Sequence, residues 1–528
     1  MQKQPARLWI TALFLGWLLD FLFFKHSPGL NFAIYALVTL SGGLILLWLD
    51  GLRPARATWW LFPLFLFFIV FTVLRQEPLS AVLAHGLTLF MMTGVAVSYR
   101  GGQWPLYSLA DYFVRGLDLV GSLVARPIRF FTSLRPAKDE AGNAPKSITR
   151  IFPVLRGVFF AVPVVAFFAA LLASADLIFA QRLASITALF SIENLPEYIF
   201  RFTYIIVAAY ALAGVYLHAA QRSTDEKLLG LEKPLIPAFL GFTEAGIVLG
   251  SVVLLFAAFV MIQFQYFFGG QANINLSGFT YAEYVHKGFG ELVTVAFFAL
   301  LLFLGLSTIT RRETLLRQRF FSGLGVTLLA LVAVILVSAY QRLVLYEDAY
   351  GFTRLRTYIH IFMIWVGVLL ASVVLLNLFK RQRAFALAAL LAGLGFSASL
   401  LLLNVDAFIV QRNLSRFEQG QALDVGYLAT LSPDAVPALV NAYAAPGAPA
   451  VARDRVGAVL ACIQFADSNR SARDKSWQAF NLSDYWAANA LGPVVGSLSG
   501  YQIDKTNWPA SVTTPMDLKF DCYSSTGE

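Results

Sequence analysis

Between Leu8 and Leu403 the chain alternates long apolar runs with short polar stretches. A helix that crosses a bilayer needs about 20 apolar residues. Runs near that length lie at Leu8–Phe24, Leu30–Leu49, Trp59–Leu74, Leu79–Val97, Phe152–Ala173, Tyr198–Ala219, Gly241–Phe264, Phe289–Ile309, Phe320–Tyr340, Thr357–Leu378 and Ala384–Leu403. In hydrocarbon each backbone N–H and C=O must bond within its own segment, which selects helices. The runs are continuous rather than alternating in twos, which excludes a barrel of strands. The pattern predicts eleven spanning helices. The first run has the outline of a secretory leader, with Lys3 and Arg7 ahead of it. Asp20 interrupts it, however, and no small-x-small site precedes Lys25 and Pro28, so it reads as an uncleaved span.

Residues 1–99 thus hold four spans, 100–150 a basic connection, 151–404 seven further spans and 405–528 a soluble domain. In the connection, Asp111, Arg115, Asp118 and Ser122 recur at helical spacing, while Leu109, Tyr112, Phe113, Leu117, Val120 and Val124 fill the other side. This predicts an amphipathic helix, either on the membrane surface beside Arg126, Arg129 and Arg135 or packed on the bundle. Pro136–Pro145 reads as a linker and Ala180–Phe190 as a short interfacial helix. Ser432-Pro433 marks a helix start, Val451–Phe465 and Asn481–Leu491 read as helices, and the tail after Gly500 reads as extended. The expected fold is all-α: a polytopic transmembrane bundle of about eleven spans, with a small, mostly helical C-terminal domain.

Composition agrees. The chain is 58% hydrophobic and 13% charged, and its mean hydropathy is +0.67; soluble domains run nearer 45–50% apolar and about 25% charged. The net charge of +9 is uneven: residues 405–528 carry 9 basic and 12 acidic groups. The remaining basic residues sit mainly in alternate loops. The N-terminus, Arg53 and Arg56, the 100–150 connection, and the stretches at 222–233, 311–319 and 380–383 hold 22 Lys and Arg. The intervening loops hold seven: Lys25, Arg75, Arg182, Lys287, Arg342, Arg354 and Arg356. That alternation predicts a cytoplasmic N-terminus and an extracytoplasmic C-terminus. It also explains the basic pI without nucleic acid. In an oxidising compartment Cys462 and Cys522, the two cysteines, are a possible disulfide pair.

Ionisable groups inside spans are costly and mark candidate sites. Asp20, His85, Asp176, Arg201 and Glu244 fall within spans or at their edges. Two polar loops add to the outer face. One, Gln263–Leu292, places Glu283, Lys287 and Glu291 on one helical face, with His286 beside them. The other, Gln341–His360, offers Glu347, Asp348, Arg354, Arg356 and His360, with Gly351 as a helix breaker. Two readings stand. The groups line an outward-facing pocket for a solute or lipid headgroup, or they form an interfacial belt of tyrosines and snorkelling cations. No His pair has metal-ligand spacing, and no nucleophile elbow, Walker or dinucleotide motif occurs, so no catalytic residue, metal or cofactor is expected. Gly246-x-x-x-Gly250 reads as close helix packing.

The strings FQYFFGG, YAEYVHKGFGEL and TRRE between Gly241 and Arg312 resemble a bacterial family of polytopic inner-membrane proteins described as a domain of unknown function. YEDAYGFTRLR at Tyr346–Arg356, NVDAFIVQRNLSR at Asn404–Arg416 and LDVGYLATLSPDAVPAL at Leu423–Leu439 fit the same family. The resemblance implies a membrane protein and brings no catalytic residues. Three functions follow as expectations. The first is binding or transport of a small solute or lipid. The second is a non-transporting envelope sensor or scaffold acting through the C-terminal domain on an envelope protein. The third is an intramembrane enzyme. Membrane lipid is a partner in each.

Overall fold

The computed structural model describes residues 4–133, 194–221, 237–268, 289–468, 476–506 and 508–523, with scattered positions between 157 and 182 and at 228. The helices are α1 (Pro5–Phe23), α2 (Leu30–Leu49), α3 (Leu61–Leu74), α4 (Pro78–Ser98), α5 (Leu109–Ser133), α6 (Leu195–Ala220), α7 (Phe242–Phe268), α8 (Phe289–Ile309), α9 (Leu315–Tyr350), α10 (Arg354–Leu378) and α11 (Phe385–Leu403). The C-terminal segment adds α12 (Val405–Glu418), α13 (Val425–Ala429), α14 (Val436–Ala444), α15 (Ala450–Ser468), α16 (Leu482–Leu491) and three strands. Among the described residues ten helices, α1–α4 and α6–α11, are long and apolar enough to cross a membrane, α3 together with the 3-10 turn Ala57–Trp60 that leads into it. The predicted span Phe152–Ala173 lies largely outside the described residues, as do the Pro136–Pro145 linker and most of Ala180–Phe190.

The chain forms two compact units, residues 1–21 with 119–218 and residues 22–118 with 219–528. In the first, a Cβ at Gly16 would stand 2.5 Å from the Ile205 carbonyl oxygen, and one at Gly214 2.7 Å from Leu123 Cα. Those two glycines let the backbones of α1 and α6, and of α5 and α6, close up. In the second, α7, α8, α9 and α10 surround a core that includes Leu249, Phe303, Leu328, Val332 and Met363. Close approaches here include Gly325 against the Phe303 ring and Gly395 against the Trp365 indole. The expected packing role of Gly246 and Gly250 is not seen: a Cβ at either would meet nothing within 4 Å among the described residues.

Two ends of the second unit are distinguished by contacts between loops. At one, Ala55 N–H bonds the Tyr99 carbonyl, the Trp104 indole bonds the Ala57 carbonyl and Arg100 bonds the Ala220 carbonyl. At the other, the α3–α4 and α9–α10 turns and the end of α11 meet the C-terminal segment. These are the loops that the charge alternation sets apart.

Local rules fix the turns. Glu77 caps α4, accepting from Leu79 and Ser80 N–H, and Pro78 takes the first helical position. Helix α9 is longer than its apolar run. It continues through Gln341–Tyr350 and stops at Gly351, whose φ of +85° suits a residue without Cβ. Most of the second expected loop is therefore helix, leaving three residues before α10. Asn404, at φ +52°, turns α11 into α12 and caps the latter through Ala407 N–H. The extended tail is an antiparallel sheet, β1 (Gln502–Asp504), β2 (Ser511–Thr513) and β3 (Lys519–Asp521), in the order β1-β2-β3. Cys462 of α15 is disulfide-bonded to Cys522, just past β3.

Helix α5 is amphipathic, with its polar side inward: Asp111 and Ser122 are buried while Phe113, Leu117, Val120 and Val124 are exposed. A helix bordering lipid has this arrangement.

Candidate functional site

The residues singled out from the sequence fall into separate groups. In the first unit, Arg201 of α6 grips Asp20 of α1 through Nε at 2.9 Å and Nη2 at 2.5 Å, and Tyr204 donates to the same carboxylate. One turn of α6 thus supplies both partners for a buried acid. Asp176 accepts from Ile178 and Phe179 N–H, and Glu244 from Gly241 N–H; both acids are exposed and act as helix caps. His85 donates Nδ1–H to the Ala81 carbonyl at 2.7 Å and lies against Phe32. Its Nε2 is buried with no partner among the described residues.

Of the proposed outer pocket, Glu283 and His286 lie outside the described residues, and Glu291 is exposed in the first turn of α8. Glu347 and His360 do meet: Nδ1 of His360 stands 3.0 Å from Oε2 of Glu347, and Tyr340 packs edge-on against the imidazole. Positions 340 and 347 are two helical turns apart on α9, so one face of that helix carries both groups. Glu347 is buried, and its Oε1 has no hydrogen-bond partner among the described residues. Arg356 bonds the Gly351 carbonyl at 2.5 Å and lies over the Tyr346 ring. Asp348 is exposed; its carbonyl accepts from Arg416.

Arg354 belongs to a larger polar network whose other members sequence reasoning passed over. Its guanidinium forks onto Asp406 at 2.8 and 2.6 Å. Asp406 is fully buried and also accepts from Ser432 N–H at 2.7 Å, while Arg354 N–H bonds the Tyr427 hydroxyl at 2.7 Å. Nearby, Asp434 Oδ2 accepts from Gln76 and Glu77 N–H at 2.8 and 2.9 Å, and Arg75 stands 3.7 Å from Oδ1. Arg75 also bonds the Leu401 carbonyl at 2.9 Å. Tyr358 donates to the Glu77 carboxylate, and the Gln76 amide to Asp484. Loop 75–77, the start of α10 and the starts of α12 and α14 are thereby joined.

The electrostatics of this network follow from burial. Burial pushes the Asp434 carboxyl above its usual range, against the pull of the Gln76 and Glu77 N–H groups and Arg75. Burial likewise pushes the Tyr427 phenol up to about 12. The apolar surroundings are continuous: the core holding Val405, Ile409, Leu428 and Leu439 includes Leu400 of α11 and is flanked by Leu79, Leu83 and Tyr358 of the spans. The helix start read at Ser432-Pro433 pointed here, and the acid-proline pair Glu77-Pro78 carries a second signal of the same kind.

Elsewhere, a cleft of about 420 Å³ between α7 and α9 is lined by Val260, Phe264, Val334 and Val337, with Gln263 and Ser338. The Gln263 carbonyl is occupied by Ser338 and Arg342. Among the described residues no three His, Cys, Asp or Glu gather as a metal site.

Residues 10–442 match a family model described as a domain of unknown function, DUF4153, and the chain belongs to that family. No curated protein and no solved structure matches it. Ten apolar helices and this membership make it a multi-pass integral membrane protein.

Proposed function

We propose that this DUF4153 protein is a non-transporting scaffold of the plasma membrane, with a cytoplasmic N-terminus. Its C-terminal domain serves as a fixed extracytoplasmic platform for another envelope protein. The observation that carries this reading is where the charged groups near the domain go. Arg354, Arg75, Glu77, Asp406 and Asp434 satisfy one another or the backbone across the joint. A solute pocket needs such groups turned toward an open volume; a rigid platform needs them turned toward each other. The 22-to-seven distribution of basic residues supports the orientation, and a Cys462–Cys522 bond suits an oxidising compartment.

A second reading is favoured by Glu347 alone. A buried carboxylate oxygen with no partner among the described residues, beside an imidazole, suits a proton or a small donor-bearing solute. One experiment separates the two. A photo-crosslinking amino acid placed at Trp508 or Tyr523, both exposed, is expected to capture a protein in cells. No small solute is then expected to raise the melting temperature of the purified protein. A solute that stabilises the wild type but not Glu347→Gln or His360→Ala would overturn the platform reading in favour of the pocket.

A further inference from the structure

The segment Trp477–Trp486 reads WQAFNLSDYW, with four aromatics and a single charge. Its backbone is pinned to the ends of two spans. Leu30, the first residue of α2, donates its N–H to the Phe480 carbonyl at 2.8 Å. The Asn481 amide reaches the Thr72 carbonyl at 3.4 Å. Thr72 lies two residues before the end of α3, about 3 Å along the helix axis at 1.5 Å per residue. Asp484, the one charge, is held by Gln76 just beyond that same end. The segment therefore sits at the level where two apolar helices leave the membrane.

Its side chains divide by face. Ser483 and Ala487 are buried inward, whereas Trp477, Phe480, Tyr485 and Trp486 are 52%, 37%, 53% and 44% exposed. Aromatic rings with a polar edge favour the headgroup layer, where one end is apolar and the other wet. Phe480 and Tyr485 are also ring neighbours, with centroids 6.2 Å apart.

We propose that this aromatic segment is a membrane-contact site of the C-terminal domain, resting in the headgroup layer of the bordering lipid leaflet. Such a contact adds a lateral support to the bonds at the span ends. It does not depend on which side of the membrane the domain occupies.

The test uses the full-length protein in nanodiscs of phosphatidylcholine brominated near the headgroup. The fluorescence difference between wild type and the Trp477→Phe/Trp486→Phe variant isolates these two indoles. That difference is expected to be quenched at least twofold by the brominated lipid and little by aqueous iodide. Strong iodide quenching without bromine quenching would place the segment in water and overturn the proposal. Should the double variant fail to fold, a benzoylphenylalanine at Tyr485 in the otherwise native chain gives a second reading. A phospholipid adduct supports the contact; a protein adduct, or none, refutes it.

Discussion

Removing the Asp406 carboxylate is the sharpest perturbation the structure offers. In Asp406→Ala the Arg354 guanidinium loses both oxygens of its fork, and Ser432 N–H loses its acceptor. Breaking a buried ion pair from one side costs about 3–5 kcal/mol, because the surviving charge stays desolvated. The Arg354 side chain is 21% exposed, so water relieves part of that cost; the lower end, about 3 kcal/mol, is expected. At 1.4 kcal/mol per tenfold this is roughly a hundredfold larger open population of the segment around α12 and α13. Hydrogen exchange of the full-length protein in nanodiscs reads it, as faster exchange of amides in 405–417 and 425–431. Two companions locate the cause. Arg354→Met with Asp406→Leu leaves no unpaired charge and should recover most of the protection. Asp434→Asn should be mild at neutral pH. A carboxyl whose pKa is raised on folding contributes stability that is fully present below its unfolded value and is lost as pH rises through the folded one. Unchanged exchange in Asp406→Ala, or equal damage in the double variant, would refute the reasoning.

Two further predictions rest on separate contacts. Gly351→Ala puts a side chain at φ +85°, with Cβ 2.7 Å from Asn413 Oδ1 and 2.8 Å from Arg416 Nη1. Asn413 holds both the N–H and the C=O of Phe352, so about 2 kcal/mol of destabilisation is expected from strain and the displaced amide, seen as a lower melting temperature by intrinsic fluorescence. An unchanged melting temperature would show that the α9–α10 turn relaxes freely. Cys462→Ser/Cys522→Ser releases a loop spanning 60 positions, worth about 4 kcal/mol in the chain-entropy account. Exchange should rise in α15 and the sheet and stay unchanged in α7–α10; uniform loosening would contradict it.

The spans were legible because lipid imposes a length and a composition that no other environment demands. Where the structure departs from that reading, the cause is the same rule applied too strictly. Gln341–Tyr350 is polar enough to end an apolar run, yet α9 continues through it, because Arg342 has a partner on α7 and Glu347 one on α10 rather than water. Strands of three residues, as in β1–β3, leave too few positions for alternation to register. The pairing of Glu347 with His360 was within reach, since the two lie either side of one short turn. The Asp434 joint was not: Glu77 and Asp434 are 357 positions apart, and pattern within a window carries nothing about such pairs. Of that joint, helix-start chemistry marked only Ser432-Pro433, beside Asp434.

The joint also changes what a truncation can show. Ending the chain at Asn404 looks like the removal of an appended soluble domain. In the folded protein it would strip Arg354 of Asp406 and the loop 75–77 of Asp434 and Asp484. It would also uncover Leu79, Leu83 and Tyr358, which pack against the C-terminal core. Each lost partner leaves a charged or polar group that was buried against the C-terminal segment without its counterpart, and breaking a buried pair from one side is strongly destabilising. A truncated chain that failed would report the loss of this joint as much as the loss of a docking surface. The platform is better probed by surface substitutions at exposed positions such as Trp508, which leave the joint intact. A reading in which the domain acts by binding and a reading in which it acts by bracing the α3–α4 and α9–α10 turns then give different answers.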